Sequence, residues 1–333
     1  MSIRRRMASV IGGFALLAVA VMLWAPTIGS TPISLSKAFD RSIPWDSNVD
    51  AQIFVVARLP RVLAGGLVGA TLAAAGVVLQ ALLRNPLATP FTLGVSAGAS
   101  LGAMLAVTMQ LELSFLGITS IPLASFAGSL IATGIVYALA TLQRRGLSTN
   151  VLLLAGVTLN AFFSALILFV QYLADFAEAL RAIRWMMGGL DVAGYFPIVA
   201  ALPFVIVAFI AFAFLTRTLN LLSVGAESAA AKGVDIVPAQ RLAFLSASLA
   251  TGAAVSLGGP IGFIGIIVPH LVRLLVGSDH RIVLPASALF GAAFLVLCDL
   301  TARTLMSPLE IPVGVVTALI GGPFFLWLLV KRS

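Results

Sequence analysis

Apolar residues fall in ten long runs separated by short polar breaks: 8–29, 62–83, 91–109, 117–140, 149–173, 195–215, 238–257, 261–276, 282–302 and 311–330. A membrane-spanning helix needs about 20 apolar residues. The pattern therefore predicts an all-α membrane protein of about ten transmembrane helices. The eighth run is short and rich in Gly and Pro, and is expected to be broken or partly re-entrant, a form tolerated where protein lines a cavity. The first run follows Arg4, Arg5 and Arg6 and ends at Trp24. It is longer than the apolar core of a typical secretory leader, and Ala25-Pro26-Thr27 is a poor cleavage site, so it is expected to remain as a first helix.

Three polar breaks exceed what a turn requires: 30–61, 174–194 and 216–237. None is large enough to be a domain, so residues 1–333 read as one membrane domain. Lys and Arg orient it, because cytoplasmic loops carry the basic excess. With the N-terminus inside, the inner breaks hold 13 basic residues, Arg144 and Arg145 among them, against the acids Glu227, Asp235 and Asp279. The outer breaks hold seven basic residues against nine acids, Glu112 and Asp191 among them. An even number of spans then returns the C-terminus to the cytoplasm.

Composition strengthens this picture. Hydrophobic residues make up 60% of the chain and charged residues 10%, against about 25% charged in a soluble domain. Mean hydropathy is +1.12. The net charge of +8 would suggest nucleic acid in a soluble protein, but the basic residues lie in breaks between spans and are not interleaved with aromatics. They read as topology charge, with no nucleic-acid partner. Cys298 is the single cysteine, so no disulfide or cysteine-based metal site forms within one chain. His270 and His280 lack a second metal ligand nearby in sequence, and His270 is expected to satisfy a neighbour in the bundle. No Gly-x-x-x-x-Gly-Lys-[Ser/Thr] phosphate loop occurs, so the chain is not expected to hydrolyse ATP or act as an enzyme. The clearest carboxylate within a span, Asp299, lies a turn from Arg303, where the two can pair along one helix face. That leaves no acidic relay at mid-span and argues against the main alternative, an ion-coupled secondary transporter.

Gly65, Gly69 and Ala73 recur every four residues, as do Gly66 and Ala70, a spacing that lets helix backbones approach closely. The run ends at Arg84-Asn85-Pro86, where proline turns the chain out of the helix. With these stand Arg58-Leu-Pro-Arg61, Asn85-Pro-Leu-Ala, Gly94-Val-Ser-Ala-Gly, Leu152-Leu-Leu-Ala-Gly, Trp185-Met-Met-Gly-Gly, Gly262-Phe-Ile-Gly-Ile-Ile-Val-Pro-His, Asp279-His-Arg and Ile311-Pro-Val-Gly-Val-Val-Thr. In combination and order these motifs, from about residue 50 to the C-terminus, resemble the FecCD-type permease family, the membrane subunits of ABC importers for iron–siderophores, haem and cobalamin.

The resemblance implies a type II ABC importer permease fold with ten helices and both termini inside a bacterial cytoplasmic membrane. It also implies a homodimer with the path on its axis, two cytoplasmic ATPase subunits that bind the ATP and Mg, and a periplasmic or lipid-anchored substrate-binding protein. No cofactor is expected in this chain. Family roles carry over to matching residues. Arg58, Arg61 and Arg303 are expected to meet acids on the binding protein; the alternative is interfacial anchoring, or pairing with Asp299 and Glu310. The segment 216–237 matches the ATPase-coupling region, with Ala226, Glu227, Ser228, Ala229, Ala230 and Gly233 as its contacts; Gly225 and Gly233 bracket a short expected helix. Asn85, Leu87, Thr149 and Asn150 match the cytoplasmic gate. Family members often place a serine-type residue where Asn150 stands, and Ser148, Thr149 and Asn150 also suit a helix N-cap. The fifth, eighth and tenth spans are expected to contribute to the path, and Met186 and Met187 to give it a soft surface, with simple packing as their alternative.

Overall fold

The computed structural model describes residues 3–111, 119–142, 148–192 and 194–332; Glu112, Arg144 and Arg145 lie outside the described residues. Among the described residues, twelve α-helices of six or more residues organise the chain. They are α1 (Ile3–Trp24), α2 (Leu59–Leu83), α3 (Val95–Thr108), α4 (Ser120–Thr141), α5 (Thr149–Leu173) and α6 (Phe176–Met186), followed by α7 (Phe196–Leu222), α8 (Ala226–Ala231), α9 (Ile236–Gly258), α10 (Ile264–Val276), α11 (His280–Thr304) and α12 (Val313–Arg332). All but α6 and α8 coincide with the ten apolar runs. Among the described residues, seven helical segments are long and apolar enough to cross a membrane, and α3, α10 and Val313–Trp327 are shorter apolar helices.

The short α10, with 13 residues, spans about 20 Å at 1.5 Å per residue, less than the roughly 30 Å hydrocarbon core. It begins after a break in which Gly259 and Phe263 adopt positive φ (66° and 68°). The broken eighth run is thus borne out. α3 is its counterpart, entered through a one-turn 3-10 segment at Pro90–Leu93.

Helix ends depart furthest from the hydropathy pattern in two places. A continuous helix, Val49–Leu83, extends α2 outward through much of the expected loop 30–61. Arg58, Pro60 and Arg61 interrupt the apolar run but not the helix. Its turn at Ile53–Arg58 is π-helical, so residue 60 would normally bond the carbonyl of Val55. Pro60 has no N–H, and Tyr195 Oη donates to Val55 O instead, at 2.6 Å. At the other end, α7 runs to Leu222, taking Thr216 and Arg217 into the helix beyond the apolar stretch.

α2 is the central helix and is hydrophobic on all sides, as a helix surrounded by others must be. Small residues set its crossings. A Cβ on Gly69 would lie 2.2 Å from Gly291 O, and one on Gly76 would lie 2.2 Å from Gly265 O. Gly69, on the four-residue repeat, thus brings α2 into backbone contact with α11, and Gly76, off that repeat, does the same with α10. α3 and α4 cross in the same way at Gly98 and Gly128. α1 packs along α11, with Phe14 and Phe290 rings 5.7 Å apart and Arg6 Nη2 donating to Val276 O at 2.9 Å.

Candidate functional site

Arg58, Arg61 and Arg303 converge at one end of the bundle, the end expected to face outward, from the helix 49–83 and the last turn of α11. Arg61 is the centre. Its Nε donates to Asp299 Oδ1 at 2.9 Å and its Nη1 to Glu310 Oε2 at 2.7 Å; Nη1 also lies 2.8 Å from Asp191 Oδ1. Arg303 Nε stands 3.6 Å from Asp299 Oδ2, and its Nη2 donates to Ala25 O at 2.7 Å. Arg58 Nη1 donates to Pro26 O at 3.2 Å and Nη2 to Thr31 O. Its guanidinium lies on Gly29, where a Cβ would fall 2.7 Å from Nη2. Three arginines therefore face three carboxylates around a cleft of about 460 Å³.

Two of these arginines are largely enclosed by the chain itself. Arg58 is 6% and Arg303 3% exposed, and both are committed to carbonyls of the segment after α1. The alternative pairing with Asp299 and Glu310 is what Arg61 makes. Asp299 is 1% exposed, whereas Asp191 is 78% exposed, so Arg61 joins a buried anchor to a surface partner. The share of Asp191 had no sequence signal, because 130 residues separate it from Arg61.

At the opposite end, α7 leads into α8. Gly225 (φ 151°) and Gly233 (φ 82°) flank α8, as the bracketing glycines predicted. Glu227, Ser228, Ala230 and Gly233 are exposed, Ala226 is half-buried and Ala229 is fully buried. Ala229 thus faces this chain's own bundle. Beside α8 lies a polar node. Asn220 Nδ2 donates to Asp279 Oδ1 at 2.8 Å, and Asn220 Oδ1 accepts from the backbone N–H of His280 at 2.8 Å. Arg281 Nε and Nη2 clamp the Asp279 carboxylate at 3.0 and 2.5 Å. These hydrogen bonds, Arg281 first and Asn220 after burial, hold the Asp279 carboxyl below the usual carboxylate range. The Asp279-His-Arg motif was visible in sequence; its partner Asn220 was not.

The residues expected at the gate occupy chain turns at the same end. Arg84 ends α2 in the left-handed region (φ 49°), and Leu87 N donates to Asn85 Oδ1 at 2.9 Å, an Asx turn that reverses the chain. Leu87 is exposed and Asn85 half-buried. Ser148 caps α5, accepting from Val151 N at 3.5 Å, so Thr149 and Asn150 form the first turn. One and a half to three turns further along, Gly156 and Asn160 grip the segment that follows the Asn85 turn. A Cβ on Gly156 would meet Thr92 O at 2.3 Å, and Asn160 Nδ2 donates to Phe91 O at 2.5 Å. Met186 packs with Met104, Val107, Ile167 and Ala182, the simple-packing alternative. Met187 lines an outer cleft with Arg61 and Glu310. The His270 ring lies edge-on to Phe324, with centroids 6.1 Å apart.

Comparison with known proteins agrees with this arrangement. The sequence model of the FecCD transport family matches residues 16–331. The chain is 45% identical to the cobalamin import system permease protein BtuC of Halobacterium salinarum, over 90% of this chain and 79% of that one. It is 37% identical to the hemin transport system permease protein HmuU of Yersinia pestis, over 97% and 95%. It is also similar to a solved inward-facing conformation of an ABC transporter described as of metal-chelate type, with a TM-score of 0.82 and 34% identity, covering 97% of this chain and 99% of the other.

Proposed function

The chain belongs to the FecCD transport family, and we propose that it is the membrane permease subunit of a binding-protein-dependent ABC importer, forming with a second copy of itself the path for an iron–siderophore, haem or cobalamin. The whole-length likeness to an ABC transporter is the observation on which this reading rests. The named relatives that carry hemin and cobalamin support the cargo class. The chain does no covalent chemistry. Two cytoplasmic ATPase subunits bind ATP and Mg, and their closure and opening rock the two permease copies between outward and inward openings. The excess of basic residues in one set of breaks supports an orientation with both termini in the cytoplasm, and the likeness to ABC importer permeases supports a bacterial inner membrane.

At the outer face, a periplasmic or lipid-anchored binding protein docks through Arg61. One of its carboxylates takes the place of Asp191 or Glu310, while Asp299 holds the guanidinium from below. Arg58 and Arg303 stand behind it and fix the cluster. Such an exchange of surface charges favours fast, correctly registered encounter more than tight binding. At the inner face, Glu227, Ser228 and Ala230 present the coupling surface, framed by Ala226 and Gly233. The turn at Asn85 and Leu87 and the first turn of α5, at Thr149 and Asn150, form the cytoplasmic gate. Met187, rather than Met186, is the methionine placed to meet cargo. An ion-coupled carrier would need a carboxylate free to bind and release its ion; Asp299 is held between two arginines.

Purification with a Walker-motif ATPase and a binding protein encoded beside it tests this reading. A complex of two permease and two ATPase copies is expected, with ATP hydrolysis stimulated by the binding protein and the stimulation lost in Arg61→Glu. A chain that purifies without any ATPase, or hydrolysis indifferent to the binding protein, would overturn it.

A further inference from the structure

Two adjoining cavities of about 400 and 390 Å³ open between α4, α7 and the outer end of α9, sharing Pro122, Phe196, Pro197, Ser256 and Leu257. They form one crevice with two different ends. Its mouth is edged by Arg181, Arg184 and Trp185 of α6. Both arginines are exposed, and neither has a carboxylate partner among the described residues. Among the described residues, Asp191, on the rim, pairs with Arg61, and Glu178, one turn before Arg181, is buried and accepts from Gln110 Nε2 at 2.5 Å.

The inner end has the opposite chemistry. Every lining residue except Ser256 is apolar, and the Ser256 hydroxyl donates to its own helix at Ala253 O, 2.9 Å away. Nothing there calls for water, and apolar cavities of this kind stay dry. From Pro197 to Phe204 the crevice descends about 10 Å at 1.5 Å per residue. It ends on the Phe126 and Phe204 rings, whose centroids are 4.6 Å apart. Phe126 is itself seated against Gly252, where a Cβ would lie 3.4 Å from its ring. One side opens to the outer surface of α7 through Val199 and Phe204, which are 56% and 40% exposed.

A ligand that fits both ends carries a negative head at the rim and an alkyl chain beneath it. The rim lies at the outer ends of α4, α7 and α9, the level of lipid headgroups in a membrane-spanning bundle. We propose that this crevice binds an anionic glycerophospholipid of the outer leaflet. Its phosphate sits between Arg181 and Arg184, and the first carbons of one acyl chain lie against Pro197, Ala200 and Phe204. The bound lipid ties α6, which follows directly on α5, to the start of α4 and α7.

The test uses the full chain in nanodiscs of equal parts phosphatidylglycerol and phosphatidylcholine. Retained lipid is counted by native mass spectrometry. A diazirine on the phosphatidylglycerol acyl chain is mapped by peptide analysis. Selective retention of phosphatidylglycerol is expected, with labelling near Phe126 and Phe204. R181Q/R184Q is expected to cut the preference by about 30-fold, from about fivefold per basic residue at an anionic surface. Ala200→Phe, which fills the crevice and leaves the arginines intact, is expected to abolish the labelling. Excess inorganic phosphate is expected to leave it unchanged, because the chain supplies most of the hold. Equal retention of both lipids, a preference that survives R181Q/R184Q, labelling that survives Ala200→Phe, or labelling lost to inorganic phosphate would each overturn the proposal.

Discussion

Asp299 is a carboxylate placed almost out of reach of water, and two arginines keep it company. Arg61 touches it at 2.9 Å and Arg303 at 3.6 Å. Removing one partner of a buried pair strands the other, at a cost of about 3–5 kcal/mol. Arg61→Ala is therefore expected to lower unfolding stability by that order in a detergent melt, whereas the apolar double variant Arg61→Leu/Asp299→Leu loses much less. An unchanged melt in Arg61→Ala would contradict the cluster. Backbone contacts give a second test. Gly76→Ala forces a methyl to within 2.2 Å of Gly265 O, and overpacking costs about 1–3 kcal/mol. Gly134→Ala in α4 meets nothing within 4 Å and is expected to leave the melt unchanged or raise it. The two residue-scale features differed in how far sequence revealed them. The spacing of Gly65, Gly69 and Ala73 announced a close helix crossing, and Asp299 beside Arg303 announced a pair, because both patterns are local. The capture of Arg61 by Asp299 joins residues 238 positions apart, and no periodicity encodes that.

At the scale of elements, α8 is fixed at one face and open at the other. Ala229→Leu has no room, since Ala229 is fully buried. It is expected to displace α8 and lower the melting temperature. Glu227→Arg and Ala230→Trp, on the exposed face, are expected to leave the melt unchanged and weaken ATPase assembly. The opposite split, with assembly sensitive only to Ala229, would reverse the assignment of the two faces. The node behind α8 has a pH signature. The Asp279 carboxyl titrates lower in the folded chain than the ordinary value of about 3.9, so its contribution is complete above that pH and is lost only as pH falls below it. The melt is expected to show no loss attributable to Asp279 between pH 8 and 5, and Asp279→Asn to lower it across that range. Hydropathy located every long helix but misplaced their ends at Val49–Arg58 and at α7. Arginine and proline interrupt an apolar run without interrupting a helix whose carbonyls find other donors, as Val55 O finds Tyr195.

For the whole molecule, the ten apolar runs, the broken eighth helix and the family were all legible in the sequence. Burial in a bilayer demands long continuous signals, and close crossings demand small residues at fixed spacing. The outer ion cluster and the lipid-shaped crevice were not legible, because both arise where distant helix ends meet. The proposed function makes the chain one of two halves of a passive channel worked by soluble partners. Its central claim is tested by uptake into proteoliposomes holding the permease and its ATPase, with the loaded binding protein outside and ATP inside. The account predicts accumulation of the chelate or corrinoid against its gradient only when ATP, ATPase and binding protein are all present. Accumulation by the permease alone, or driven by a proton or sodium gradient without ATP, would contradict it.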